Sequence, residues 1–79
     1  MSAYILTSAH LQRPKRFRTL IVAMRALMEL KYNGEVIDTR TGKLLWRKTE
    51  ACYEDGDGRV LSDIEYEEAV SDQEYEFRD

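Results

Sequence analysis

A chain of 79 residues holds one domain around one small core and excludes a second, because the buried fraction of surface falls with length. Its longest apolar run, Leu20 to Met24, is far short of the roughly 20 residues that cross a bilayer, so no spanning helix is expected. The net charge of -3 conceals a division: residues 1–49 carry ten Lys or Arg against three acidic side chains, and residues 50–79 carry twelve Asp or Glu against Arg59 and Arg78.

Nothing after Met1 follows the basic, apolar, small-residue order of a secretory signal, so the expected compartment is the cytoplasm. Tyr4, Ile5, Leu6 and Thr7 favour extended backbone, and a strand is predicted from Ala3 to Ser8. Phe17, Leu20, Ile21, Met24, Leu27 and Met28 then recur at steps of three and four, which predicts an amphipathic helix from about Pro14 to Tyr32. Pro14 suits its first turn, and Asn33 and Gly34, tolerant of left-handed backbone, supply its stop.

After Gly34 the period falls to two. Val36 and Ile37, the Thr41-Gly42 turn, and Leu44, Leu45 and Trp46 make a hairpin pattern. Asp55 to Gly58 is a second turn cluster. It leads to a predicted strand from Arg59 to Tyr66 in which Val60, Ser62, Ile64 and Tyr66 share a face. From Ser71 onward only Tyr75 and Phe77 offer apolar surface. The expected fold is α+β: a strand, one amphipathic helix, then a three-stranded antiparallel meander, with the helix packed on one face of a small sheet. One domain is expected over residues 1–70, with an acidic, frayed tail over 71–79.

Two charged constellations are candidates for binding. Arg13, Lys15, Arg16 and Arg18 sit at the start of the predicted helix, where exposed amides already give partial positive charge, so an anion there would be stabilising. Glu65, Glu67, Glu68, Asp72, Glu74 and Glu76 form the other, with Tyr66, Tyr75 and Phe77 interleaved. Along an extended chain, alternate carboxylates are about 6.5–7 Å apart, close to the phosphate spacing of a DNA strand, so such a row fits a groove built for nucleic acid. The aromatics add anchors of the kind that dominate protein interfaces.

Catalytic and metal signals are weak. Asp55-Gly-Asp-Gly58 does not begin a calcium loop, since Val60 stands where Gly is required and Tyr66 where a bidentate Glu is required. Cys52 is the one cysteine and His10 the one histidine, so no internal disulfide and no complete zinc site are expected. Glu50, Glu54 and Asp55 around Cys52 disfavour its thiolate. Neither an enzyme nor a cofactor is expected.

Asp38, Thr41, Gly42 and Trp46, with Val36 ahead of them, resemble the tryptophan docking motif of quinoprotein-type β-propellers, in which Ala, Asp, Thr, Gly and Trp recur at those spacings. Here one copy spans 11 residues, Val36 replaces Ala, and the chain is too short for a set of blades. The resemblance therefore implies only a hairpin in which Asp38 bonds the turn and Trp46 packs across it, with no cofactor or activity carried over.

The expected function is a non-catalytic protein-binding module that offers an acidic, nucleic-acid-mimicking surface to a larger, basic protein. Its candidate contacts are Glu65, Tyr66, Glu67, Glu68, Asp72, Glu74, Tyr75 and Glu76. In size and layout the chain resembles the compact inhibitors that phages and mobile elements direct at host nucleic-acid-handling complexes, small anti-CRISPR proteins among them; that resemblance implies an inhibitor and assigns no residue. The alternatives are nucleic-acid or anion binding through Arg13, Lys15, Arg16 and Arg18, and a structural homo-oligomer that makes contact through Trp46 and a sheet edge.

Overall fold

The computed structural model describes residues 3–76, and the side chains of residues 3–74. Tyr4 to Thr7 form β1 (Tyr4–Thr7), which pairs antiparallel on both sides, with β2 (Lys15–Phe17) and with β3 (Gly34–Asp38). From β3 the chain runs as a meander through β4 (Leu44–Lys48), β5 (Tyr53–Asp55) and β6 (Val60–Leu61). The result is a six-stranded antiparallel sheet of order β2-β1-β3-β4-β5-β6. Two helices, α1 (Leu20–Glu29) and α2 (Asp63–Glu76), complete an α+β globule in which helix packs on sheet.

The predicted helix from Pro14 to Tyr32 is shortened at both ends. Lys15 to Phe17 are extended, and Phe17 lies opposite Tyr4 in the sheet, so its fit to the helical period was coincidental. Thr19 is the N-cap, with extended backbone and no side-chain capping bond. At the other end α1 stops at Glu29, and Leu30 leaves in extended conformation. No residue in the last turn is basic; Lys48, reaching up from β4, donates from Nζ to the carbonyls of Met28 (3.0 Å) and Leu30. A cation at that end complements the helix dipole and satisfies carbonyls that have no intrahelical partner.

Gly34 is needed for a different reason from the one its position suggested. Its φ is not positive; it is buried at the start of β3, where a Cβ would come within 2.5 Å of Leu30 Cδ1 and 3.1 Å of the Thr7 carbonyl. Gly42, by contrast, has φ +72° in the β3–β4 turn. There Asp38 accepts from the Arg40 amide through Oδ1 (2.9 Å) and from the Gly42 amide through its carbonyl (2.8 Å). Trp46 stands opposite Val36, so the hairpin has the form implied by the propeller-like motif.

The meander has four strands rather than three, and the segment from Arg59 to Tyr66 is not one strand. Only Val60 and Leu61 pair, and the chain turns into α2 at Asp63. Helix α2 runs through Ser71 to Glu76, the region expected to fray; residues 77–79 lie outside the described residues. The core sits between the two helices and one face of the sheet. Leu6, Val36, Tyr53 and Leu61 from the strands meet Met24 and Leu27 of α1 and Tyr66 of α2, each at most 6% exposed. Full burial of a side chain of this size contributes about 1.5–3 kcal/mol, so these residues dominate the stability of a domain this small.

Candidate interaction surface

Helix α2 begins with a reciprocal cap. The Ser62 amide donates to Glu65 Oε1 (3.0 Å), and the Glu65 amide donates to Ser62 Oγ (3.2 Å), so two donors at the helix start are satisfied. The bond from the Ser62 amide, and after it the nearby Ser62 hydroxyl, hold the Glu65 carboxyl below its ordinary value. From there Tyr66, Ala69 and Val70 recur at steps of three and four and face inward. Tyr66 is fully buried. Its ring stacks on Tyr53 with centroids 3.8 Å apart, meets Trp46 edge-on at 5.2 Å, and its hydroxyl donates to the Met24 carbonyl (2.7 Å). Burial pushes its phenol well above the usual range.

The opposite face of α2 is acidic. Ile64, Glu67, Glu68, Ser71 and Asp72 line a shallow depression of about 430 Å³, with Ile64 68% exposed. No basic residue lies on the helix, and among the described residues Glu67, Glu68 and Asp72 make no ion pair. Like charges three and four residues apart on a helix repel, so this face costs the isolated chain some stability.

The predicted contacts therefore divide. Glu67, Glu68 and Asp72 share an exposed face. Tyr66 does not join them, because it is fully buried in the core against Tyr53 and Trp46. Glu65 is committed to the cap and lies 3.8 Å from Arg59. Glu74 is paired at 2.5 Å with Arg25 of α1. The side chains of Tyr75 and Glu76 lie outside the described ones. Helical geometry also replaces the spacing expected for an extended row: same-face carboxylates are now separated by a helical turn, about 5–6 Å between Cβ atoms. Ile64, which strand alternation puts on the same face as Tyr66, stands exposed because the helix separates the two.

Arg13, Lys15, Arg16 and Arg18 lie on β2 and the segments flanking it, not on the first turn of a helix. All four are exposed, and none is ion-paired among the described residues. Strand order puts this cluster at one edge of the sheet, while β6 and the start of α2 lie at the other. Two ion pairs among the described residues join the basic half of the chain to the acidic one, Arg25–Glu74 and, at 3.9 Å, Arg47–Glu54, and neither uses Arg13, Lys15, Arg16 or Arg18. Charge thus stays largely segregated in three dimensions.

Other polar groups have local partners. Cys52 Sγ lies 3.3 Å from Thr49 Oγ1, whereas His10 packs on the Tyr32 ring at 4.5 Å, so each is held by different neighbours. Lys48, Cys52, Tyr53, Asp63 and Glu67 border a cavity of about 290 Å³, in which burial lowers the Lys48 ammonium and raises the Tyr53 phenol from their ordinary values. Among the described residues no group of three or more His, Cys, Asp or Glu could hold a metal ion. No helix among them is long and apolar enough to cross a membrane. Compared with family models, curated proteins and solved structures, the chain matches none.

Proposed function

We propose that this chain is a non-catalytic binding module whose α2 outer face docks onto a basic surface of a larger protein. The observation that carries this reading is the placement of Glu67, Glu68 and Asp72, unpaired among the described residues, beside the exposed side chain of Ile64. Unpaired like charges on one face destabilise a free helix, and a cationic partner relieves that cost. Ile64 supplies what charge alone lacks: an apolar anchor that a protein pocket desolvates, inside a rim of carboxylates.

The preferred partner class is a protein that handles nucleic acid, since its groove already carries cations arranged to receive a row of anions. An inhibitor of such a complex, working by occupying that groove, follows from this chemistry, and a phage or mobile-element origin is the setting it suits. Nucleic-acid binding by the basic edge is the second reading, supported by four exposed cations without ion pairs among the described residues. The two separate on a capture experiment with charge-neutralised baits. Loss of a bound protein from the Glu67→Gln, Glu68→Gln, Asp72→Asn variant supports the α2 reading. Duplex or single-stranded DNA bound with a steep salt dependence, and released by neutralising Arg13, Lys15, Arg16 and Arg18, supports the other.

A further inference from the structure

The cavity between the β4–β5 loop and the start of α2 is bordered by a polar group that the fold leaves without a partner. Tyr53 is 4% exposed and its ring is engaged, stacked on Tyr66 with the Lys48 ammonium 5.7 Å from its centroid, yet its hydroxyl makes no hydrogen bond among the described residues. The Tyr66 hydroxyl, by contrast, reaches the Met24 carbonyl. A buried hydroxyl without a hydrogen bond costs free energy that a ligand atom in the cavity recovers. Carboxylates surround it. Asp63 and Glu67 stand one turn apart on the same side of α2 and border the cavity together with Glu50, and none of the three has an ion pair among the described residues. Burial first, and then the charges of Asp63 and Glu67, raise the Tyr53 phenol, so both carboxylates lie near its oxygen. Against these three stands one cation, Lys48, two of whose donors are committed to the carbonyls of Met28 and Leu30. The cavity is therefore net negative and rich in acceptors.

We propose that this cavity receives a guanidinium, the side chain of an arginine carried by the basic partner; in that source the inference rests on the function proposed above. A metal ion is the poorer occupant, since among the described residues no three His, Cys, Asp or Glu could share one. Met28 gives the cavity an apolar wall, which suits an organic cation on a hydrocarbon stem. Between the two such side chains, arginine fits better than lysine. Its planar fork of five donors serves two carboxylates and a phenol oxygen at once, and it is more weakly hydrated than an ammonium, so it enters a partly enclosed site at lower cost. Glu67 also borders the outer depression with Glu68 and Asp72, so an arginine seated here is continuous with the docking face of α2.

Titration with N-acetyl-arginine amide, followed by backbone-amide and tyrosine-ring NMR, tests the site without any partner. Binding in the millimolar range is expected, with shifts centred on Tyr53, Asp63 and Glu67, and N-acetyl-lysine amide is expected to bind about tenfold more weakly. Tyr53→Phe keeps the ring stack and removes a hydroxyl that bonds to nothing, so it is expected to fold as the wild type does. That variant and Asp63→Asn should each weaken binding of the arginine amide by about tenfold. Absence of shifts at these residues, equal binding of the lysine amide, or undiminished binding by both variants overturns the guanidinium site. The source is read on the captured partner: release by added arginine amide and weaker retention by an Asp63→Asn bait are expected, and retention unchanged in both overturns the assignment to the partner's arginine. The titration reports on the cavity whether or not any protein is captured, so its failure is distinct from failure of the α2 reading.

Discussion

Tyr66 of α2 lies flat on Tyr53 of β5, ring centroids 3.8 Å apart and planes within 7°, while its hydroxyl reaches across to the Met24 carbonyl of α1. One side chain thus ties the second helix to the sheet and to the first helix, and it fixes which face of α2 is left for solvent. Tyr66→Phe keeps the stack and removes the hydrogen bond, an expected cost of about 1 kcal/mol. Tyr66→Ala empties the site and costs about 3–5 kcal/mol, a large share of the stability of so small a domain. Thermal denaturation read by circular dichroism distinguishes the two, and equal losses would show that the ring contributes little.

The start of α2 depends on a reciprocal cap. Ser62→Ala removes an acceptor for the Glu65 amide and is expected to cost about 1 kcal/mol, with fraying confined to the first turn of α2. Hydrogen exchange checks the location: amides at the start of α2 should lose protection while those of α1 do not.

Acid acts on the same cap and on the β3–β4 turn. Backbone hydrogen bonds, from Ser62 to Glu65 and from Arg40 to Asp38, hold both carboxyls below their ordinary values of 4.5 and 3.8. A depressed folded value means stability that is present above the unfolded value and is lost as pH falls through the folded one. Stability is therefore expected to fall on acidification below about pH 4.5, and Glu65→Gln should flatten the part of that fall due to the cap. At the alkaline end the sign reverses. Burial raises the phenols of Tyr53 and Tyr66 above 10.0, so their contribution is complete below pH 10.0 and declines as pH rises beyond it. Phenolate absorbance should accordingly lag that of the denatured chain.

Gly34 tests the close approach of α1 to the sheet. Gly34→Ala drives a methyl into Leu30 and toward the Thr7 carbonyl, and about 1–3 kcal/mol of destabilisation is expected. Gly42→Ala meets no atom within 4 Å, so its cost comes only from a φ of +72°. Chemical denaturation of both variants separates packing from backbone strain.

The legible parts of this fold were those where one period acted alone. The hairpin around Thr41-Gly42 and the apolar stripe from Leu20 to Met28 follow from turn chemistry and helical spacing, and both are present. The reading failed where two periods overlapped. Val60, Ser62, Ile64 and Tyr66 alternate, but Tyr66, Ala69 and Val70 also recur at helical steps, and Ser62 with Glu65 spells a capping box; the tertiary stack on Tyr53 favours the helix. Phe17 misled in the opposite sense, since it matched the helical period yet belongs to β2, a pairing with β1 that no local pattern announces. The shared acidic face of Glu67, Glu68 and Asp72 was readable from the run of carboxylates in the sequence. Tyr66 and Ile64, which strand alternation puts on one face, are parted by the helix, where Tyr66 is buried and Ile64 exposed.

The acidic face of α2 is the centre of this account, and quantitative affinity capture tests it most directly. Three baits are compared: the wild type, the Glu67→Gln, Glu68→Gln, Asp72→Asn variant, and a variant with Arg13, Lys15, Arg16 and Arg18 changed to Gln. One stoichiometric protein is expected on the first and third baits, lost from the second, and displaced by added duplex DNA. Equal retention by all three, or loss only from the third, would contradict it.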